Sequence, residues 1–342
     1  MAERAPATPW SDLSDARLLD WRIGDLGLEL EDGPVAPRLA ELRGEFAARG
    51  LRFRPYAWLS TDWFTPDHLT GFAVPFYLAH PRLVRLERRQ MLEVEGGTRD
   101  ECMKIMRHEA AHALDNAYGL RRRKAWRAHF GRAGAPYAAS YTPDPTSRQH
   151  VLHLDYWYSQ SHPLEDWAET FAVWLRPRSR WRARYAGWPA LKKLEFVDAL
   201  MAEIAEEAPR KRTRAREEPL ASVEMTLAEY YDRKRAVYSE ESSPALEGQL
   251  QRVFPRADAA PGRPRAASFL RKHRRGLVRS VAAATGQHSY LLDHVLREMI
   301  ARCQAKDLRV DHGAQEARIS AAIVLTALSS QFLFGGHPIY HR

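Results

Sequence analysis

Cysteine is almost missing from this chain, and its scarcity narrows the chemistry before any motif is read. Cys102 and Cys303 are the only two in 342 residues and lie far apart, so the sequence offers no disulfide framework and no zinc ribbon, and a reducing compartment is its simplest setting. Long apolar runs are lacking too. The most apolar stretch, Ile319 to Leu333, is interrupted by Ser and Gln and falls short of the roughly 20 apolar residues that cross a bilayer, so it reads as a buried helix. Met1-Ala2-Glu3-Arg4-Ala5-Pro6 leads into a charged segment without the apolar core of a signal peptide, which sets the expectation of a cytoplasmic protein with no membrane partner. No internal repeat is evident.

Positive charge, by contrast, is plentiful. The net charge is +9, with basic runs at Arg121-Arg122-Arg123-Lys124, Arg210-Lys211-Arg212 and Arg271-Lys272-His273-Arg274-Arg275. Such a balance admits nucleic acid or an acidic partner. Acids interleave elsewhere, however, and no aromatic stacking pattern accompanies the runs, so solvated helix faces are the favoured reading.

Apolar periodicity then organises the chain. Val35 to Arg49 suits a helix, and Leu51, Phe53, Ala57 and Leu59 alternate with Arg52, Arg54, Tyr56 and Trp58 as in a half-buried strand. Phe72 to Leu78 is a second strand, which Pro75 pushes toward a sheet edge where an extended peptide can pair. Thr98-Arg99-Asp100-Glu101 has the form of a capping box and Gly119 that of a C-terminal cap, predicting a helix over 99–118 with Met103, Met106, Ala110, Leu114 and Ala117 as its core stripe. Ser161-His162-Pro163 announces another helix ending near Pro177, and a third spans Pro189 to Glu206. Residues 207–220 lose apolar periodicity and read as a charged linker. Beyond it the pattern is helical, at Leu227 to Tyr238, Phe269 to Thr285, Tyr290 to Cys303 and Ala317 to Leu333.

The strongest chemical signal lies inside the helix predicted over 99–118. In His108-Glu109-Ala110-Ala111-His112 the two histidines are four apart and share a helix face, so both reach one metal while Glu109 is set as general base toward a metal-activated water. Catalytic zinc takes three protein ligands. The longer metzincin motif is excluded, because Asp115 and Tyr118 stand where it needs Gly and His. A glutamate on a downstream helix meets the need: Glu165 as third ligand, with Glu169 on the same face to hold a ligand histidine through its free ring nitrogen. His150, His153 and His162 compete for the ligand role, and an acid after Pro163 would also serve the helix dipole without any metal. Asp115 shares the histidine face and either supports the site or caps the nearby loop. Tyr158 is the chosen oxyanion donor, with Tyr156, His153 and Tyr141 as rivals.

Three separated stretches, His108 to Asp115, Trp157 to Pro163 and Glu165 to Ala172, together resemble the bacterial zinc-binding metallopeptidases, gluzincins similar to Mlc titration factor A and anthrax lethal factor. The resemblance covers about residues 50 to 205. It implies Zn2+ on His108, His112 and Glu165, Glu109 as base, Tyr158 as oxyanion donor, and an α+β lobe whose edge strand at Phe72 to Leu78 aligns a peptide. Many members carry an N-terminal zinc ribbon, for which this chain has no cysteines.

The expectation is therefore an α+β protein with three parts: a zincin-like lobe with a small mixed sheet over 1–206, a linker over 207–220 and a helical accessory domain over 221–342. Its expected activity is zinc-dependent hydrolysis of a peptide or protein substrate, by endopeptidase action. The alternative is a basic helical binding protein, for nucleic acid or a protein partner, with a structural or degenerate zinc site. A third reading keeps the protease latent until a partner or a cut opens it.

Overall fold

Thr98 and Gly119 bracket the element on which the rest is built. In the computed structural model, which describes residues 9–31, 33–138, 141–236 and 245–334 (the side chains of 245–247 and 331–334 apart), a helix spans Arg99–Tyr118. The Thr98 hydroxyl accepts the Glu101 amide at 3.2 Å, and Gly119, at a φ of 67° that suits glycine, returns its amide to the Asp115 carbonyl. From Cys102 onward only Lys104 and His112 escape burial, so the histidine helix runs through the core rather than lying upon it.

Its neighbours are fixed by specific polar contacts as well as apolar ones. Helix Ala36–Ala48 contributes Glu45, which receives two hydrogen bonds of 2.7 and 2.6 Å from the buried Arg107 guanidinium. The second key helix, Pro163–Leu175, starts where His162 accepts the Leu164 amide and Pro163 supplies a preset φ. Every residue from Leu164 to Leu175 is buried. Trp167 donates its indole N–H to the Ala111 carbonyl at 3.1 Å, an approach that alanine permits on the facing helix. Helices Lys124–Phe130 and Ala190–Ile204 close the far side, with Trp126 and Phe130 packed on Trp167.

The sheet is smaller than the sequence suggests. Two parallel strands, β1 (Tyr56–Ser60) and β2 (Gly71–Pro75), pair from Tyr56 with Gly71 to Ser60 with Pro75. β2 ends at Pro75, which cannot extend a ladder, and Phe76–Ala79 turns into a 3-10 helix instead of continuing the expected strand to Leu78. Nor is β2 an open edge: all five residues are buried, and the Ala73 amide already donates to the Phe64 carbonyl at 2.8 Å. The small sheet is parallel rather than mixed, and the fold class is α+β with helix predominating.

Residues 207–218 correct the linker expectation. Tyr56, Trp58 and Ser60, alternate residues on one face of β1, donate to the carbonyls of Ala215, Glu217 and Glu218 at 2.6, 2.8 and 2.7 Å. Tyr118 holds the Glu207 carbonyl and Thr70 that of Thr213. A segment without apolar periodicity is thus bound through its backbone, an attachment that side-chain patterning does not register. Further on, Ile23 and Gly24 donate to Met225 and Val223. The first compact unit accordingly extends to Ala228, well beyond residue 220.

That unit comprises the described residues up to 88 and 94–228; the other comprises 89–93 and the described residues from 229. The second unit holds helices Ala245–Val253, Ala266–Thr285, Ser289–Ala305 and Ala314–Phe334 around Leu270, Leu277, Leu292, Leu296, Met299 and Leu325. The helix expected to reach Tyr238 ends at Ala236 among the described residues, and Tyr238 lies outside them. Helix Ala314–Phe334 is not buried all round: Ile319 and Ile323 are exposed by 54% and 63%. No helix among the described residues is long and apolar enough to cross a membrane.

Candidate metal centre

Two buried helices carry the convergent side chains. On the histidine helix, His108 and His112 sit one turn apart with their Nε2 atoms 3.2 Å from each other. From the helix Pro163–Leu175, Glu165 brings Oε2 to 2.9 Å from His108 Nε2 and 3.4 Å from His112 Nε2. Among the described residues this is the one group of His, Cys, Asp or Glu donors that closes tightly enough to hold a metal ion. A tetrahedral zinc with bonds of about 2.0–2.1 Å spaces its ligand atoms about 3.3–3.4 Å apart, so the donor triangle matches the ion's dimensions.

Glu169 decides what those atoms are. Fully buried, it takes His108 Nδ1–H on Oε1 at 2.8 Å and the Leu154 amide on Oε2 at 2.8 Å. With the proton committed to Nδ1, a neutral His108 presents a lone pair at Nε2, facing the Glu165 carboxylate, which is also an acceptor. Two acceptors at that distance repel unless a proton or a metal cation lies between them, and this donor set fits zinc. The pull of the two carboxylates on positive charge at this point shows in the imidazole itself. Burial pulls the His108 imidazole down, yet Glu165 and Glu169 carry it well above its ordinary value; burial pushes Glu165 up, yet His112 and His108 hold it well below the carboxylate range.

Glu109 is buried beside them, and burial raises its carboxyl above the ordinary range, with His108, His112 and Thr65 acting in the other direction. The Thr65 hydroxyl donates to Glu109 Oε2 at 2.7 Å. Thr65 lies in the loop between β1 and β2, and that loop is itself stapled: Asn116 donates to the carbonyls of Pro66 and Leu69, and Arg121 bonds Asp67 at 2.8 Å.

Asp115 belongs to this staple, which settles its alternatives in favour of the loop. It is buried, accepts the Arg121 backbone amide at 2.7 Å and ion-pairs with the Arg121 guanidinium, so it turns away from the metal donors. The rival histidines have other partners or positions. His162 caps its helix and bonds the Ala135 carbonyl, His153 bonds the Lys104 carbonyl, and His150 approaches Asp166 at 3.9 Å. Burial keeps both His150 and His153 neutral, pushing each down to about 4.

Tyr158 lies against the site, its ring centroid 5.7 Å from that of His108, and burial together with Glu165 and Glu109 keeps its phenol protonated. Tyr156 and Trp157, directly before it, occupy the left-handed region at φ of 60° and 53°, a conformation costing on the order of 1 kcal/mol or more for each non-glycine residue. Tyr141, a rival, spends its hydroxyl on the Tyr156 carbonyl at 3.0 Å. A different phenol reaches the ligand set directly. Tyr137 donates to Glu165 Oε1 at 2.7 Å and stacks on His162 at 3.8 Å, leaving Oε2 to the histidines.

Thr65, Tyr137 and the Leu154 amide are the participants that spacing does not reveal, since all three come from irregular segments. Comparison of the chain with family models, curated proteins and solved structures finds no match, so the centre rests on its own geometry.

Proposed function

We propose that this chain is a zinc-dependent metallopeptidase of gluzincin type with a zincin-like α+β lobe, acting as an endopeptidase on peptide or protein substrates. The observation that carries the reading is the meeting of three candidate ligand atoms, His108 Nε2, His112 Nε2 and Glu165 Oε2, with separations of 2.9 to 3.4 Å. When bound there, zinc supplies Lewis acidity toward water and toward an amide carbonyl.

The chain's own residues do the rest. Glu169 fixes the His108 tautomer, and Tyr137 orients Glu165 by occupying its second oxygen. Glu109, steadied by Thr65, accepts a proton from the attacking water on its carboxylate and passes it to the departing amine nitrogen. Its raised proton affinity suits a base that must also return the proton. Tyr158 keeps its phenolic proton and donates it in a hydrogen bond to the oxygen that gains charge as the carbonyl carbon becomes tetrahedral. Cytoplasmic location is part of the proposal, supported by two buried free thiols.

The test is a peptide-library digest by the wild type and by Glu109→Gln, with zinc measured on both. The variant is expected to keep stoichiometric zinc and lose at least about a hundredfold in turnover, as removal of a general base does. Equal cleavage by both proteins would remove Glu109 from the mechanism, and absence of cleavage by zinc-loaded wild type would remove the peptidase reading.

A further inference from the structure

A cleft of about 630 Å³ opens beside the segment Leu152–Asp155, within the size range of small-molecule sites. Its polar lining is one-sided. Lys104, Arg176, Arg178 and Arg184 face it against a single acid, Asp155, and among the described residues none of the four cations forms an ion pair with a carboxylate. Leu152, Val173 and Pro177 supply an apolar wall. The segment that forms its edge also carries the Leu154 amide that holds Glu169.

Helix ends account for some of this charge but not all. Arg176 follows the last turn of the helix Pro163–Leu175 and Arg184 ends the short helix Trp181–Arg184, where exposed carbonyls attract cations in any protein. Lys104 has no such reason, since it stands in the second turn of the histidine helix, far from that helix's C-terminal carbonyls. Arg178 has less reason still. Arg176-Pro177-Arg178-Ser179 forms a turn closed by the Ser179 amide on the Arg176 carbonyl at 3.3 Å, with proline second and Arg178 third at a φ of 56°. That third position is the one glycine fills in turns of this type. A long cationic side chain stands where the backbone favours glycine, at a cost on the order of 1 kcal/mol, and strain of this kind clusters at ligand-binding positions.

We propose that the cleft binds a phosphate group. Several guanidinium forks and an ammonium around one cavity match a dianion with four oxygens better than a singly charged carboxylate, which would leave most of the positive charge unanswered. The apolar wall leaves room for the remainder of a phosphorylated small molecule or peptide. This site is independent of the zinc reading and requires no metal.

Titration calorimetry of the full chain at constant ionic strength tests it, with inorganic phosphate, a phosphoserine tripeptide and acetate as probes. Wild type is expected to bind phosphate saturably and acetate at least tenfold more weakly; tighter binding of the tripeptide than of phosphate identifies a polypeptide source, and equal binding a small molecule. Arg178→Gly is expected to lose about tenfold in phosphate affinity with no fall in melting temperature, because glycine suits the turn, and Lys104→Gln is expected to weaken binding similarly. Absence of saturable binding by either phosphate probe overturns the proposal. So does phosphate affinity unchanged in both variants, the result expected if the anion sits on a metal instead.

Discussion

The two units bury different kinds of residue. Around the paired helices of the first, His108, Glu109, Asp115, Glu165, Asp166 and Glu169 are all buried, each with a partner or a converging donor. In the second, the interior is Leu, Val, Ile, Ala, Met, Phe, Tyr and Cys, and Gln287, Asp293 and Ser329 are the buried polar residues described there. Apolar interiors stabilise; buried carboxylates and imidazoles cost desolvation unless paired, and a protein retains them where they are used. The contrast sets the proposed chemistry in the first unit, while the second is held by apolar packing.

The largest expected break in this contrast is at the ligand glutamate. Glu165→Ala should lose zinc outright in a chelator-competition assay, while Glu169→Ala, which frees the His108 ring without removing a donor, should weaken zinc by about 10–100-fold. In the second unit the matching change is Leu296→Ala, at a fully buried position. Denaturant unfolding should show a loss of about 2–5 kcal/mol in that unit, with zinc stoichiometry unchanged. If Leu296→Ala also expels zinc, the division of labour is wrong.

A smaller effect separates the units by pH. His153 is buried and held down to about 4, against about 6.5 when unfolded. Above 6.5 both states carry neutral imidazole; below it the unfolded chain takes a proton that the native state refuses until about pH 4. Stability of the first unit should therefore fall as pH drops through that window, by on the order of 3 kcal/mol from this residue. His153→Gln should flatten the acid limb, and an unaltered limb would show that His153 is not buried neutral.

Local signals carried much of this into view from the sequence. Thr98, Gly119 and Pro163 set helix ends through backbone chemistry that needs no neighbour, and four-residue spacing put His108 with His112 and Glu165 with Glu169 on shared faces. What spacing cannot express is the meeting of irregular segments. Tyr137 meets Glu165 across 28 positions and Thr65 meets Glu109 across 44, joined only by the folded chain. The strap at 207–218 was hidden for a related reason: it is held by its carbonyls, which every residue possesses. Asp115 shows the converse, a residue on the right face whose carboxylate was claimed by Arg121.

Zinc K-edge X-ray absorption on the zinc-loaded full chain reads the ligand set itself. One zinc per chain is expected in a shell of nitrogen and oxygen at about 2.0–2.1 Å, with the outer scattering of two imidazoles and no sulfur. A shell containing sulfur at about 2.3 Å, or one with fewer than two imidazoles, would contradict it.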